Sequence, residues 1–267
     1  MEERPIGVFD SGVGGLSCIA PLIKKMPQEK IIFYGDSLRA PYGSRSKEEI
    51  TAFSIQIADY LISRGCKALV IACNTISSIA GDAIRCKYPD ISVVDIIKPG
   101  AKLIANSGQK QVAVLATAAT VASRAHAKAV SALSGTEVIG KACPSFVPII
   151  ESGKTGTADS IDAVHKELDD LYKSVHRTFF LGCTHYPFIR TDIEQEFPDV
   201  NLLDPAEALA DQVYETLKNL NLLGHGAPSF EFVSSDPTDA FNRFVQQVAG
   251  NVPYKITKHV IHGENNV

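Results

Sequence analysis

Leu69-Val70-Ile71-Ala72-Cys73-Asn74-Thr75 and Phe179-Phe180-Leu181-Gly182-Cys183-Thr184-His185 carry one pattern twice. Each is an apolar, β-prone run that ends in a small residue, a cysteine and then hydrogen-bonding side chains. A buried strand delivers a reactive group to its carboxyl end in this way. Two copies put two thiols at equivalent positions of two similar units. If the units face each other, the thiols approach one bound molecule from opposite sides, which is the geometry that inverts a stereocentre.

Working outward, short apolar runs alternate with helix-period segments, the α/β signature. Strands are expected at residues 6–10, 30–35, 67–72, 91–96, 111–116, 136–142, 178–182 and 200–203. Ser46-Lys47-Glu48-Glu49 is a capping box that opens a helix with Ile50, Phe53, Ile57 and Leu61 on one face. A second helix aligns Ile161, Val164, Leu168, Leu171 and Val175. Ile6-Gly7-Val8-Phe9-Asp10-Ser11 resembles Val112-Ala113-Val114-Leu115-Ala116-Thr117, so the repeat extends beyond the cysteine segments. The expected fold is two similar doubly wound α/β domains related by pseudo-symmetry. The first comprises residues 1–97 plus 207–267, the second residues 98–206. Ligands of such sheets bind beyond the carboxyl ends of the strands, which places the site in the interdomain cleft. The segment after residue 206, with helical stretches near 205–220 and 238–249, has no counterpart in the repeat and is expected to return over the first domain.

The chain has 267 residues, 45% of them hydrophobic, and a formal charge of −4. The acidic balance argues against a nucleic-acid surface, and no run approaches the roughly 18 apolar residues of a spanning helix. Met1-Glu2-Glu3-Arg4-Pro5 is unlike a signal peptide, so the expected compartment is the cytoplasm. The six cysteines, Cys18, Cys66, Cys73, Cys86, Cys143 and Cys183, lack the spacing of a disulfide framework.

Each motif has competing readings. A single free cysteine is more often a small buried hydrophobe than a reactive group; the pairing of the two strand ends favours chemistry. Zinc could draw on Cys73, Cys183 and His185, yet Cys-x-His is not the spacing of the common structural sites and no fourth ligand is evident. A Cys183–His185 nucleophile pair is the hydrolase reading; it leaves Cys73 and Asp10 without roles. Asp10-Ser11-Gly12-Val13-Gly14-Gly15 invites a dinucleotide fingerprint with Asp36 on the ribose, but counting from Gly12 puts Ser17 at the last glycine position. The preferred use of that turn is a helix N-terminus holding an anion such as a carboxylate. Pro41-Tyr42-Gly43 is either a plain turn or a backbone whose amides hold a second carboxylate. His165, His176, His225, His259 and His262 are expected to be solvated.

Taken in order, Asp10-Ser11-Gly12-Val13-Gly14-Gly15, Pro41-Tyr42-Gly43, Ala72-Cys73-Asn74-Thr75, Ala142-Cys143-Pro144 with Glu151-Ser152-Gly153, and Leu181-Gly182-Cys183-Thr184-His185-Tyr186-Pro187 resemble the glutamate racemases of the aspartate/glutamate racemase superfamily. The resemblance implies that Cys73 and Cys183 are the acid/base pair, Cys73 acting on D-glutamate with help from Asp10 and Cys183 on L-glutamate with help from His185. It implies that Ser11, Asn74, Thr75 and Thr184 hold the α-amino and α-carboxylate groups and that Tyr42 and Gly43 hold the side-chain carboxylate. Thr117, Thr120 and Glu151 are implied as further contacts. No metal, pyridoxal phosphate or other cofactor is implied; a homodimer making D-glutamate for peptidoglycan is. Ile76, Ala116 and His126 depart from the alanine, glycine and tyrosine usual at those places.

Overall fold

The computed structural model describes residues 2–174, 177–250 and 252–261. Val175, His176 and His262 lie outside the described residues. Among the described residues, ten strands form two wholly parallel sheets. The first contains β1 (Ile6–Asp10), β2 (Lys30–Gly35), β3 (Ala68–Ile71) and β4 (Ser92–Asp95). The second contains β5 (Gln111–Ala116), β6 (Glu137–Ala142), β7 (Thr178–Gly182) and β8 (Asn201–Leu203). Two further strands, β9 (Ser229–Ser234) and β10 (Tyr254–Lys258), extend the first sheet to the order β10-β9-β2-β1-β3-β4, while the second runs β6-β5-β7-β8. The run β2-β1-β3-β4 of the first sheet therefore shares its order with the whole of the second. β1 matches β5 and β3 matches β7, so Cys73 and Cys183 follow equivalent strands.

Each sheet is covered on both faces, which explains its uninterrupted apolar strands. In the first, Val8 and Val70 face a core that includes Leu22, Leu209 and Phe241, while Phe9, Leu69 and Ile71 face Ile50, Ile57, Leu61 and Ile84. The capping box forms as its sequence predicts. Glu49 N donates to Ser46 Oγ at 3.2 Å, and Ser46 N donates to Glu49 Oε2 at 3.0 Å, opening the helix Lys47–Ser63. In the second sheet, Leu115, Phe179 and Leu181 pack on Phe146, Val164 and Leu168, and the opposite face carries Val114 and Phe180 against Ala101, Ile104 and Val130.

All eight strands read from the sequence are present. β9 and β10 were not anticipated. In β9, Phe230 and Phe232 alternate with Glu231, and Phe232 seats beside Phe33 in the register β9 makes with β2. The segment after residue 206 does return over the first sheet, through the helices Ala206–Asn219 and Asp239–Ala249 and through these two strands. His259 also differs from expectation. It is half-buried and its ring stacks on Tyr60 at 4.3 Å. Among the described residues no helix is long and apolar enough to cross a membrane.

At the amino ends of the first sheet, opposite the reactive ends, Lys67 Nζ is fully buried and donates to Glu29 Oε2 at 2.6 Å. Glu29 Oε1 accepts from Gly224 N at 2.6 Å. Removing the carboxylate strands a buried ammonium, which costs about 3–5 kcal/mol. Urea unfolding of Glu29→Ala is therefore expected to show a loss of that size, and Glu29→Leu combined with Lys67→Met to recover most of it. Equal stability of the single variant and the wild type would contradict a buried charge pair.

Candidate active site

The loop that follows β1 is shaped by contact with the second unit. A Cβ on Gly14 would lie 2.3 Å from His185 Nδ1 and 2.6 Å from Thr184 Oγ1, and one on Gly15 would lie 2.4 Å from Asp10 Cβ. The glycines thus allow the segment after β7 to press onto the segment after β1. The loop leads into a short 3₁₀ turn, Gly14–Cys18, and not directly into the α-helix N-terminus expected from the sequence. Gly12 N donates to Asp10 Oδ1 at 3.0 Å. Asp10 is fully buried at the seam. Its Oδ2 accepts from Thr184 Oγ1 at 2.9 Å, and Ser11 Oγ lies 3.4 Å from Oδ1. Burial raises the Asp10 carboxyl above its ordinary value, opposed by the nearby His185 charge and by these donors.

Cys73 caps the helix Asn74–Lys87, and its Sγ lies 3.5 Å from Ser11 Oγ. Burial, with the Asp10 charge beside it, pushes this thiol up to about 12. Cys183 has a different neighbour. Its Sγ lies 3.8 Å from His185 Nδ1, and His185 Nε2 lies 2.9 Å from Glu151 Oε1. Burial by itself would lower the His185 imidazole; its bonds to Cys183 and Glu151 prevail and raise it to about 10.

These side chains wall one cavity of about 30 Å³, lined on one side by Ser11, Tyr42, Gly43, Cys73, Asn74 and Thr75 and on the other by Thr117, Glu151, Cys183, Thr184 and His185. Thirteen positions were singled out from sequence; all but Asp10 and Thr120 line it, and those two stand directly behind. Thr120 Oγ1 is 3.0 Å from Thr117 Oγ1 and 3.2 Å from Thr75 Oγ1, which is itself 2.9 Å from Thr117 Oγ1. Asn74 is buried, and neither atom of its amide group has a partner among the described residues. An orphaned amide at a cavity wall is a vacant donor and acceptor for a ligand.

The Tyr42 hydroxyl is turned away, donating to Asp36, which also accepts from Arg39 Nε at 2.5 Å. What residues 41–43 offer is therefore backbone. Gly43 is needed there because a Cβ would come within 2.9 Å of Thr117 Cβ. Pro41 lines the cavity with the rest of its motif, and Ala40 and Val147, to which the sequence assigns no role, line it too. Val147 sits one helical turn before Glu151 on the helix Phe146–Glu151, so i,i+4 spacing from Glu151 would have found it.

Of the three departures, Ile76 and Ala116 are buried in the cores behind the strand ends. His126 lies off this cavity, with its ring 5.1 Å from that of Phe180. No group of three or more His, Cys, Asp or Glu side chains placed to hold a metal ion occurs among the described residues.

Since His185 is raised far above an ordinary histidine, near 6.5, its ring carries a proton throughout the neutral range. Nitrogen-detected NMR of the ring is expected to give a midpoint near 10 and, in Glu151→Gln, a midpoint moved towards the ordinary value. A midpoint near 6.5 in the unmodified protein would disprove the assigned charge state.

Comparison with known proteins agrees with the geometry. The family model described as Asp/Glu/Hydantoin racemase matches residues 9–213. A glutamate racemase of Neisseria gonorrhoeae is 38% identical over 96% of both chains, and glutamate racemase 2 of Caldanaerobacter subterraneus is 39% identical over 94% of this chain and 95% of its own. The crystal structure of the Francisella tularensis glutamate racemase in complex with D-glutamate superposes with a TM-score of 0.90 at 34% identity, covering 98% of this chain and 99% of that one. The chain belongs to the Asp/Glu/hydantoin racemase family.

Proposed function

We propose that this protein interconverts L-glutamate and D-glutamate with Cys73 and Cys183 as its two acid/base groups. The observation that carries the reading is that these thiols follow equivalent strands of two repeated sheets and wall the same cavity, each beside its own partner. The α-proton of an amino acid is very weakly acidic. Its removal requires a placed base and preorganised donors for the charge that develops. Cys73 holds its proton at neutral pH, while a protonated His185 sets positive charge beside the Cys183 sulfur. That asymmetry suits Cys183 to take the proton of L-glutamate as Cys73 returns one to the other face; the roles exchange for D-glutamate.

In this reading Ser11, the Asn74 amide, Thr75 and Thr184 hold the α-amino and α-carboxylate groups. The backbone at Tyr42 and Gly43, with Thr117, takes the side-chain carboxylate. Thr120 positions Thr117, Asp10 assists Cys73, and Glu151 acts through His185. The domain division is residues 1–97 plus 207–267 and residues 98–206. A cavity of about 30 Å³ holds only about one or two waters, so glutamate enters when the two units part. The family resemblance adds a cytoplasmic homodimer, independent of cofactors, that supplies D-glutamate for peptidoglycan.

Chiral chromatography after incubation with L-glutamate, D-glutamate or L-aspartate tests the substrate. Racemisation is expected with both glutamate enantiomers, and turnover confined to aspartate would refute it. In deuterated water early product should carry deuterium while recovered substrate stays largely unlabelled. Cys73→Ser and Cys183→Ser should each fall below about a tenth of wild-type turnover, more than 1.4 kcal/mol in barrier. Equal early labelling of substrate and product would sink the two-thiol mechanism.

A further inference from the structure

We propose that the hollow between β5, β6 and the helices Ala118–Ser123 and Ala125–Ser131 is a second ligand site, suited to a small apolar carboxylate. Its volume is about 210 Å³, and Val114, Val121 and Val138 supply apolar wall, with Arg124 and His126 on the helical side. Pockets that take drug-sized ligands span roughly 300–1,000 Å³, so the occupant is a short molecule.

One buried polar group beside this hollow is unaccounted for by the fold. His126 is only 3% exposed, yet its Nε2 has no hydrogen-bond partner among the described residues. A buried ring nitrogen without a partner is rare in a native structure and calls for an explanation. Arg124 is exposed at the mouth of the hollow, and its guanidinium makes no ion pair or hydrogen bond among the described residues, so it is free to meet a ligand. Arg124 also adopts φ 56°, the left-handed region, where it breaks the helix in two. A side chain other than glycine, asparagine or aspartate in that region is uncommon, and such conformations cluster at ligand clamps.

The polarity of the walls selects the ligand. Burial holds His126 down to about 4 against the opposing pull of Asp95, so the ring is neutral at neutral pH. Positive charge at the hollow is therefore that of Arg124, which suits one carboxylate at the mouth. The valines suit a short hydrocarbon body. Thr120 forms part of the same wall and bonds on its other side to Thr75 and Thr117 of the thiol-lined cavity. An occupant is thus one hydroxyl away from that cavity without entering it.

Titration with pentanoate, followed by amide and histidine-ring NMR on the full chain, tests the site, with pentan-1-ol as a probe of equal body and no charge. The expected result is saturable, millimolar perturbation of Thr120, Arg124 and His126, undiminished by saturating D-glutamate. Affinity should weaken about fivefold or more in Arg124→Gln, the loss of one charge-assisted contact, and vanish in Val138→Phe with the rest of the spectrum unchanged. Pentan-1-ol binding as tightly as pentanoate, unchanged affinity in Arg124→Gln, or perturbation confined to Ser11, Asn74 and Thr184 would each overturn the proposal. Binding is the readout, so the result is independent of whether glutamate is the substrate.

Discussion

The active site rests on one close approach, the seam where the segment after β7 presses onto the loop after β1. Gly14 permits it, because any side chain there would occupy the space of His185 and Thr184. The Thr184 hydroxyl then reaches Asp10 Oδ2 at 2.9 Å. Together with the Thr75–Thr117 contact across the same cavity, this seam closes the site, and it buries Asp10 completely and brings His185 within range of both Cys183 and Glu151. Each sheet has its own pair of cores, so the contact positions the cysteines and does not create the sheets that carry them.

The seam also explains why two chemically identical thiols have different surroundings. The strand ends are equivalent by the repeat, but the residues around them are not. Asp10 stands behind Cys73 and adds negative charge to the effect of burial, so Cys73 retains its proton. His185 follows Cys183 by two residues and is held charged by its bonds to that sulfur and to Glu151 on a separate helix. A pseudo-symmetric backbone thus carries an asymmetric electrostatic field. For a reaction that takes a proton on one face and returns one on the other, that is the useful arrangement, because base and acid must coexist.

Most of this was legible in the sequence because it is carried by local patterns. The apolar runs of β1, β2, β3, β5 and β7 are buried on both faces and stand out without an alignment, and the repeat of Cys73 in Cys183 shows that two of them are equivalent. β9 and β10 were not legible. Tyr254-Lys255-Ile256-Thr257-Lys258 is half exposed at the sheet edge and gives only weak alternation, and neither strand has a counterpart in the second unit. The purpose of the glycine loop was also hidden. A loop that clears space for a distant histidine and one that cradles an anion use the same residue type, and only the tertiary contact distinguishes them. The phenol of Tyr42 is a third case, since its commitment to Asp36 depends on a fold-back that spacing cannot reveal.

The charge inventory of the cavity constrains how the proposed reaction works. The lining residues include neither lysine nor arginine, and His185 is their only cation. Glutamate would bring two carboxylates, so most of its negative charge must be met by neutral donors such as the Asn74 amide, the threonine hydroxyls and the backbone at residues 42 and 43. A guanidinium clamp would bind substrate and transition state alike, lowering KM without raising kcat. Fixed dipoles aimed at the α-carboxylate, where charge accumulates as the proton leaves, gain strength during the reaction and need little reorganisation. The one cation is placed beside the sulfur whose ionisation the reaction uses, so the field favours proton transfer over tight retention of substrate. A cavity too small for glutamate when closed fits the same logic: the dipoles act at full strength only after water has been expelled, and opening releases a ligand that no permanent ion pair holds.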